Sequence, residues 1–311
     1  MRTSEAPSVS GIPVGDELAL DSAARSRPPV RPLSVLTGLV LLVLLAQLLW
    51  FLLTNKAFQW DVVGRYLFDP SVLRGLGTTL GLAAAAMVVG IVLGTAVAAA
   101  RLGSFAPLRW AATGYVTVFR SIPPLVQLIF WFNLGYLLPE ISLGVPFGPA
   151  FVSRPANDLI TPLTAAVLGL GLNEAAYLAE IVRAGLLGVD PGQREAAKAL
   201  GYSGRQTFFR VVLPQSMRMI IPPTGSQFIT VLKGTSLVSV IALSDLLYSV
   251  QSIYGRTYQI VPLLVVACLW YLVLVTLLSL GQQRLERRFA RGHRTGGNHP
   301  PGVRRFRREA S

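Results

Sequence analysis

Three ionisable residues stand where charge is expensive. Arg120, Glu174 and Lys233 fall inside long apolar stretches of the 311-residue sequence. A charge at bilayer depth costs about 2.5 kcal/mol or more, so such a residue faces a bundle interior or a watery path and marks function. The chemistry on offer is ion pairing and solute contact rather than covalent catalysis. The two histidines, His293 and His299, lie in a polar C-terminal stretch, and the lone cysteine, Cys268, sits in an apolar run. Histidine metal sites, His-based triads and a disulfide framework are thereby excluded from the body of the chain. Ser226 as a nucleophile has no histidine in any apolar segment, and Lys233 is about two helical turns away. Cys268 reads as core filler.

The elements that hold these residues are apolar helices. Composition is 52% hydrophobic and 14% charged, against about 25% charged in a soluble domain. A spanning helix needs about 20 apolar residues. Leu33–Leu53 supplies one without a charge, and further spans read as residues 75–100, 110–137, 162–182, 219–243 and 258–280. The expected fold is all-α and membrane-embedded, with six transmembrane helices. Gly77/Gly81 and Gly90/Gly94 are small-xxx-small pairs of the kind that lets helices approach closely in lipid. Trp131, Phe132 and Tyr136 read as an interfacial belt. Residues 1–32 and 292–311 read as disordered tails.

Basic residues set the direction. With both termini cytoplasmic, 21 of the 28 Lys and Arg lie inside and 5 outside, with Arg120 and Lys233 at depth. That asymmetry is a positive-inside signal. It accounts for the net charge of +13 without nucleic acid, and the basic tail from Arg284 suits anionic lipid.

At 1.5 Å per residue, Arg120 lies roughly 15 Å and Glu174 roughly 12 Å from the inner ends of their spans. Lys233 lies further out and reads as structural or gating, with Thr235 and Ser236 beside it to satisfy broken backbone. Pro123-Pro124 and Pro222-Pro223 predict two broken spans, tolerated where a polar cavity is lined.

The longest inward loop, residues 190–214, carries helix punctuation. Asp190-Pro191-Gly192-Gln193 predicts an N-cap, Pro at N1 and a capping box; Gly201 predicts a C-terminal stop; Ser203-Gly204-Arg205-Gln206 predicts a second capping box. Pro214 is expected to end the second helix. On patterning alone, two short helices lying on the membrane surface fit better than a rigid knob that enters a partner's groove.

Glu195-Ala196-Ala197, then Gly201, then Val211-Val212-Leu213-Pro214 resembles the E-A-A…G…I-x-L-P loop of ABC transporter permeases, with Val211 where Ile is usual. Residues 119–127 (Phe-Arg-Ser-Ile-Pro-Pro-Leu-Val-Gln), 176–185 and 233–237 are similar to stretches of the polar amino acid uptake branch; Ser121, Ile122 and Pro124 depart from it. The resemblance covers about residues 72–283, the expected permease core. Residues 33–54 are then an extra helix and 284–311 a basic cytoplasmic tail.

The resemblance implies a non-catalytic permease of an ATP-driven amino acid importer in a bacterial inner membrane. Glu195 and Gly201 would couple to a cytoplasmic ATPase subunit, with Ala196, Ala197, Leu213 and Pro214 shaping the knob. It implies an extracytoplasmic amino acid-binding protein and a second permease copy or paralogue. The chain has no G-x-x-x-x-G-K-[ST] loop, so no cofactor is expected in it and ATP belongs to the partner. Arg120 and Glu174, with Asn173 and Tyr177, fit either of two roles: holding a zwitterionic substrate, or neutralising each other. A self-sufficient secondary transporter or channel is the alternative to the importer.

Overall fold

The computed structural model describes residues 32–145 and 150–290. The expected N-terminal tail up to residue 31, both histidines and most of the basic C-terminal tail lie outside the described residues. The described residues fall into two units, divided after Lys56. The first contains helix α1 (Pro32–Thr54), whose 23 residues carry no charge.

The second unit is an α-helical bundle with one small hairpin. Its order is α2 (Trp60–Tyr66), α3 (Pro70–Leu102), α4 (Ala106–Ser121), α5 (Pro124–Phe132), α6 (Leu134–Leu137), β1 (Glu140–Gly144), β2 (Ala150–Pro155), α7 (Ala156–Leu159) and α8 (Pro162–Leu187). Then come α9 (Pro191–Ala199), α10 (Gly204–Thr207), α11 (Leu213–Gly234), α12 (Leu246–Thr257) and α13 (Ile260–Ala290). Among the described residues four helices, α1, α3, α8 and α13, are each long and apolar enough to cross a membrane; counting each of two bent pairs as one span gives up to six.

The bends follow from backbone chemistry. Between α4 and α5 the chain turns by 103°. Pro123 and Pro124 donate no backbone hydrogen bond, and Ile122, preceding proline, is extended at ψ 130°. The break expected at Pro123-Pro124 in the span over residues 110–137 is therefore an elbow. The other expected break moves. Helix α11 continues through Pro222 and Pro223, with Gln282 of α13 donating to the Pro222 carbonyl at 2.7 Å. The chain instead tightens into a 3₁₀ segment, Thr235–Ile241, ended by Ala242 at φ 57°. Thr235 donates to Leu232 O and Ser236 to Lys233 O, each at 2.8 Å, as expected of those hydroxyls.

In lipid, helices gain little from hiding apolar surface, so close approach carries the packing. Gly90 and Gly94 are buried where α3 lies against α8, and a Cβ on Gly94 would sit 2.8 Å from the Ala175 carbonyl. Gly77 and Gly81 face open space, so only one of the two small-residue pairs works as a contact. One apolar cluster gathers Leu82, Ala86, Leu128, Ala166 and Leu232, with Trp131 and Phe132 packed on it. Those two rings therefore belong to the core, while Tyr136 is exposed. A second cluster joins α2, α3, α12 and α13 around Val72, Leu246 and Leu263. Cys268 is exposed, on the opposite side of α13 from the packed face of Val266 and Ala267, not core filler. Helix α13 extends to Ala290, so the first seven residues of the expected tail, 284–290, are helical.

Candidate functional site

At the elbow, two backbone carbonyls lose their helical donors. Gln127 is buried and its amide nitrogen donates to Phe119 O and Ile122 O, each at 2.8 Å. Asn173 of α8, also buried, donates its amide to Phe119 O at 2.9 Å. Among the candidate substrate residues, Asn173 is thus engaged with the elbow. Gln127 was missed by sequence reasoning; its place three residues after a proline pair was the available signal.

Arg120 is in the last turn of α4 and exposed, with its guanidinium carbon 5.2 Å from the centre of the Tyr177 ring. Arg120 and Tyr177 are brought together. Glu174 is not part of that contact. It is 3% exposed, and its Oε2 accepts from Gln227 of α11 at 3.1 Å. Its Oε1 is buried without a partner among the described residues. Arg120 and Glu174 hold different neighbours, so the mutual ion pair that was one reading of them is not formed. Gln227 is a second residue that sequence reasoning missed. It lies far from Glu174 along the chain, and spacing carries no sign of the pair.

Toward the C-terminal end of α8, Glu180 binds Arg101 at the end of α3 and Arg183 one turn on, the latter at 2.5 Å. This triad ties the end of α3 to α8.

The segment 190–214 is built from local signals. The Asp190 carboxylate accepts from Gly192 N at 2.7 Å, with Pro191 at N1. The capping box expected with Gln193 is absent. Gln193 instead accepts from Gln215 at 3.4 Å, across the bend. Gly201 sits at φ 79°, a conformation open to glycine at no steric cost. Its N–H donates to Lys198 O at 2.9 Å and Tyr202 N donates to Ala197 O at 3.0 Å, the paired bonds of a Schellman stop. The second capping box is present, with Ser203 and Gln206 bonding reciprocally.

Pro214 does not end the second helix. Helix α10 widens into a π turn, Phe208–Val212, and runs on into α11. Leu213 N donates to Phe208 O, five residues back. The wide turn absorbs the donor that proline lacks. Glu195, Ala196 and Gly201 are exposed, Ala197 is buried, Leu213 is half-buried and Pro214 exposed. Leu200 is 76% exposed and Phe209 55%, an apolar tip with the Arg205 guanidinium carbon 6.0 Å from the centre of the Phe209 ring. Arg194 reaches back to Leu186 O at 2.7 Å, fastening the segment to the end of α8.

Residues 90–291 match the family described as binding-protein-dependent transport system inner membrane component. The arginine transport system permease protein ArgU of Corynebacterium glutamicum is 42% identical over 261 residues, 80% of this chain and 79% of the relative. The glutamate/aspartate import permease protein GltK of Escherichia coli O157:H7 is 37% identical over 236 residues, 75% of this chain and 99% of the relative. Among solved structures, that of an amino acid ABC transporter with histidines is similar with TM-score 0.61 and 33% identity, covering 71% of this chain and 95% of that one.

Proposed function

Since this chain belongs to the binding-protein-dependent transport system inner membrane component family, as a multi-pass polar amino acid ABC permease, we propose that it forms the path of an ATP-driven amino acid importer and takes its drive through residues 190–214. The observation that carries this is the build of that segment. It is capped at both helix starts, closed by a Schellman bend at Gly201, and continuous through its π turn with α11. Such a segment transmits displacement where a floppy loop would absorb it.

In this reading Glu195, Ala196, Ala197 and Gly201 contact a cytoplasmic ATPase subunit, and Leu213 and Pro214 shape the exit into the membrane. Both termini are cytoplasmic, as the 21-to-5 split of basic residues supports. Residues 72–283 form the permease core, and a second copy or paralogue completes the path. An extracytoplasmic binding protein delivers the amino acid, and ATP stays on the partner subunit.

Arg120 and Tyr177 receive the substrate carboxylate. Glu174 receives the ammonium, which would supply the donor that Oε1 lacks; a buried polar group without a partner costs about 1–3 kcal/mol by protein mutational data. Asn173 acts through the elbow that positions Arg120.

The test is ATP-driven uptake by the complete importer in proteoliposomes. Glu195→Lys and Gly201→Val are expected to reduce uptake to background and weaken ATPase retention, with insertion and yield intact. Uptake by the chain alone, driven by a solute or proton gradient, would replace this reading with a self-sufficient transporter.

A further inference from the structure

Positive-inside bias strips Lys and Arg from the external side of a membrane protein. Five basic residues remain there in this chain, and two of them, Arg74 and Arg256, meet in one recess of about 350 Å³. They come from opposite parts of the core. Arg74 is in the first turns of α3 and Arg256 in the last turn of α12. Gly75 permits the meeting: a Cβ there would lie 2.6 Å from the Asp245 carbonyl, so α3 can press onto the start of α12 only with glycine in that place.

Each guanidinium is held by one edge. Arg74 Nε donates to Pro70 O at 3.2 Å and Arg256 Nε to Ser252 O at 3.1 Å. Their Nη groups have no acceptor among the described residues. Ser244, Tyr248 and Ser252 also line the recess, and their hydroxyls bond no protein group among the described residues. No carboxylate lines it. The nearby Asp69 is held by the amide and hydroxyl of Ser71, which, together with the positive charge of Arg74, keep its carboxyl below the usual range. Asp245 is fully buried. Two forked cations with spare hydroxyl donors, concave and free of internal acid, suit one oxyanion.

We propose that this recess is an oxyanion socket for a single acidic side chain of the extracytoplasmic binding protein. The socket fixes the register in which that protein docks over the outer end of the path. The inference rests on the importer reading above. A protein carboxylate fits better than a lipid phosphate because Tyr258, which ends α12 two residues after Arg256, is 86% exposed. Arg and Tyr together are the residue types that dominate protein–protein contacts.

The experiment uses the complete importer in nanodiscs and its substrate-loaded binding protein, with affinity measured across a salt series. In neutral phosphatidylcholine discs, Arg74→Gln and Arg256→Gln are each expected to weaken binding about tenfold and to flatten its salt dependence. The double variant R74E/R256E should abolish it, and R74K/R256K should retain an intermediate affinity. ATPase activity without the binding protein should be unchanged in all of them, which shows that the variants fold.

Unaltered affinity and salt slope in the Gln variants overturn the socket while leaving the importer reading standing. An effect confined to discs with anionic lipid also overturns it and assigns the recess to a lipid phosphate. Failure of the wild-type importer to bind any binding protein overturns the importer reading itself.

Discussion

The proposed coupling segment, residues 190–214, and the proposed substrate site by the elbow solve one problem in opposite ways. Each contains backbone groups that an ordinary helix leaves unpaired. In the coupling segment the partners are neighbours in sequence: Asp190 serves Gly192, Ser203 and Gln206 serve each other, and Tyr202 reaches Ala197. At the elbow the partners come partly from afar. Asn173 crosses from α8 to the Phe119 carbonyl; beside the elbow, Gln227 of α11 likewise crosses to the Glu174 side chain. Locally satisfied structure keeps its shape while it moves as a unit. Structure satisfied across helices changes whenever those helices shift against each other. The first suits a part that transmits force and the second a part that must open.

The contrast can be broken by mutation. The largest effect is expected from Gly94→Leu, since even a Cβ there meets Ala175 O at 2.8 Å. Overpacking costs typically about 1–3 kcal/mol, and a branched side chain against backbone belongs at or above that range. Separation of α3 from α8 should remove folded protein from the membrane, seen as loss of a monodisperse peak in detergent. A well-behaved G94L protein would mean that the α3–α8 contact does not hold the cross-helix site together.

Next comes Glu174→Gln. It keeps the shape and a partner for Gln227 but removes the charge. Uptake should fall about 100-fold, with the melting temperature unchanged, if a cation–carboxylate contact worth about 3 kcal/mol is lost. A drop in melting temperature with uptake intact would make Glu174 a structural residue.

Gln127→Leu leaves Ile122 O without its side-chain donor and Phe119 O with Asn173 alone. The expected loss is about 1–3 kcal/mol, read as a lower unfolding midpoint, with uptake reduced in proportion as Arg120 loses its position.

The smallest effect is expected from Ser203→Ala. Loss of a cap costs about 0.5–2 kcal/mol. Because the cap is local, uptake should fall only a few-fold, while hydrogen exchange at Gln206 and Thr207 rises. If S203A instead stops transport altogether, the coupling segment is not the self-contained unit described.

The same division explains what the sequence could reveal. Caps, the Gly201 stop and the apolar spans are carried by residues within a few positions of each other, and they were legible. The proline elbow was half legible. Pro123-Pro124 announced a break, but its angle of 103° depends on Gln127 and Asn173 donating to the freed carbonyls. Pro222-Pro223 announced a break that did not form, because α11 runs through both prolines packed beside Gln282 of α13. Pro214 misled for the same reason: a π turn is a backbone arrangement with no residue type of its own. The hairpin at Glu140–Pro155 was missed because its strands are short, exposed and read as loop. Gln227 was invisible because only the packing of α8 on α11 makes it a neighbour of Glu174.

Arg194 anchors residues 190–214 to α8 through Leu186 O, and the segment is continuous with α11, so a push on it in the proposed coupling role would fall on both helices at once and tend to slide one along the other. The Glu174–Gln227 bond, 3.1 Å long, spans that slip plane. A slide of about 2 Å would stretch it beyond hydrogen-bonding reach and strip the carboxylate of its resident donor. A stroke delivered at the membrane surface would thus arrive at mid-depth as a vacancy that only a travelling cation can fill.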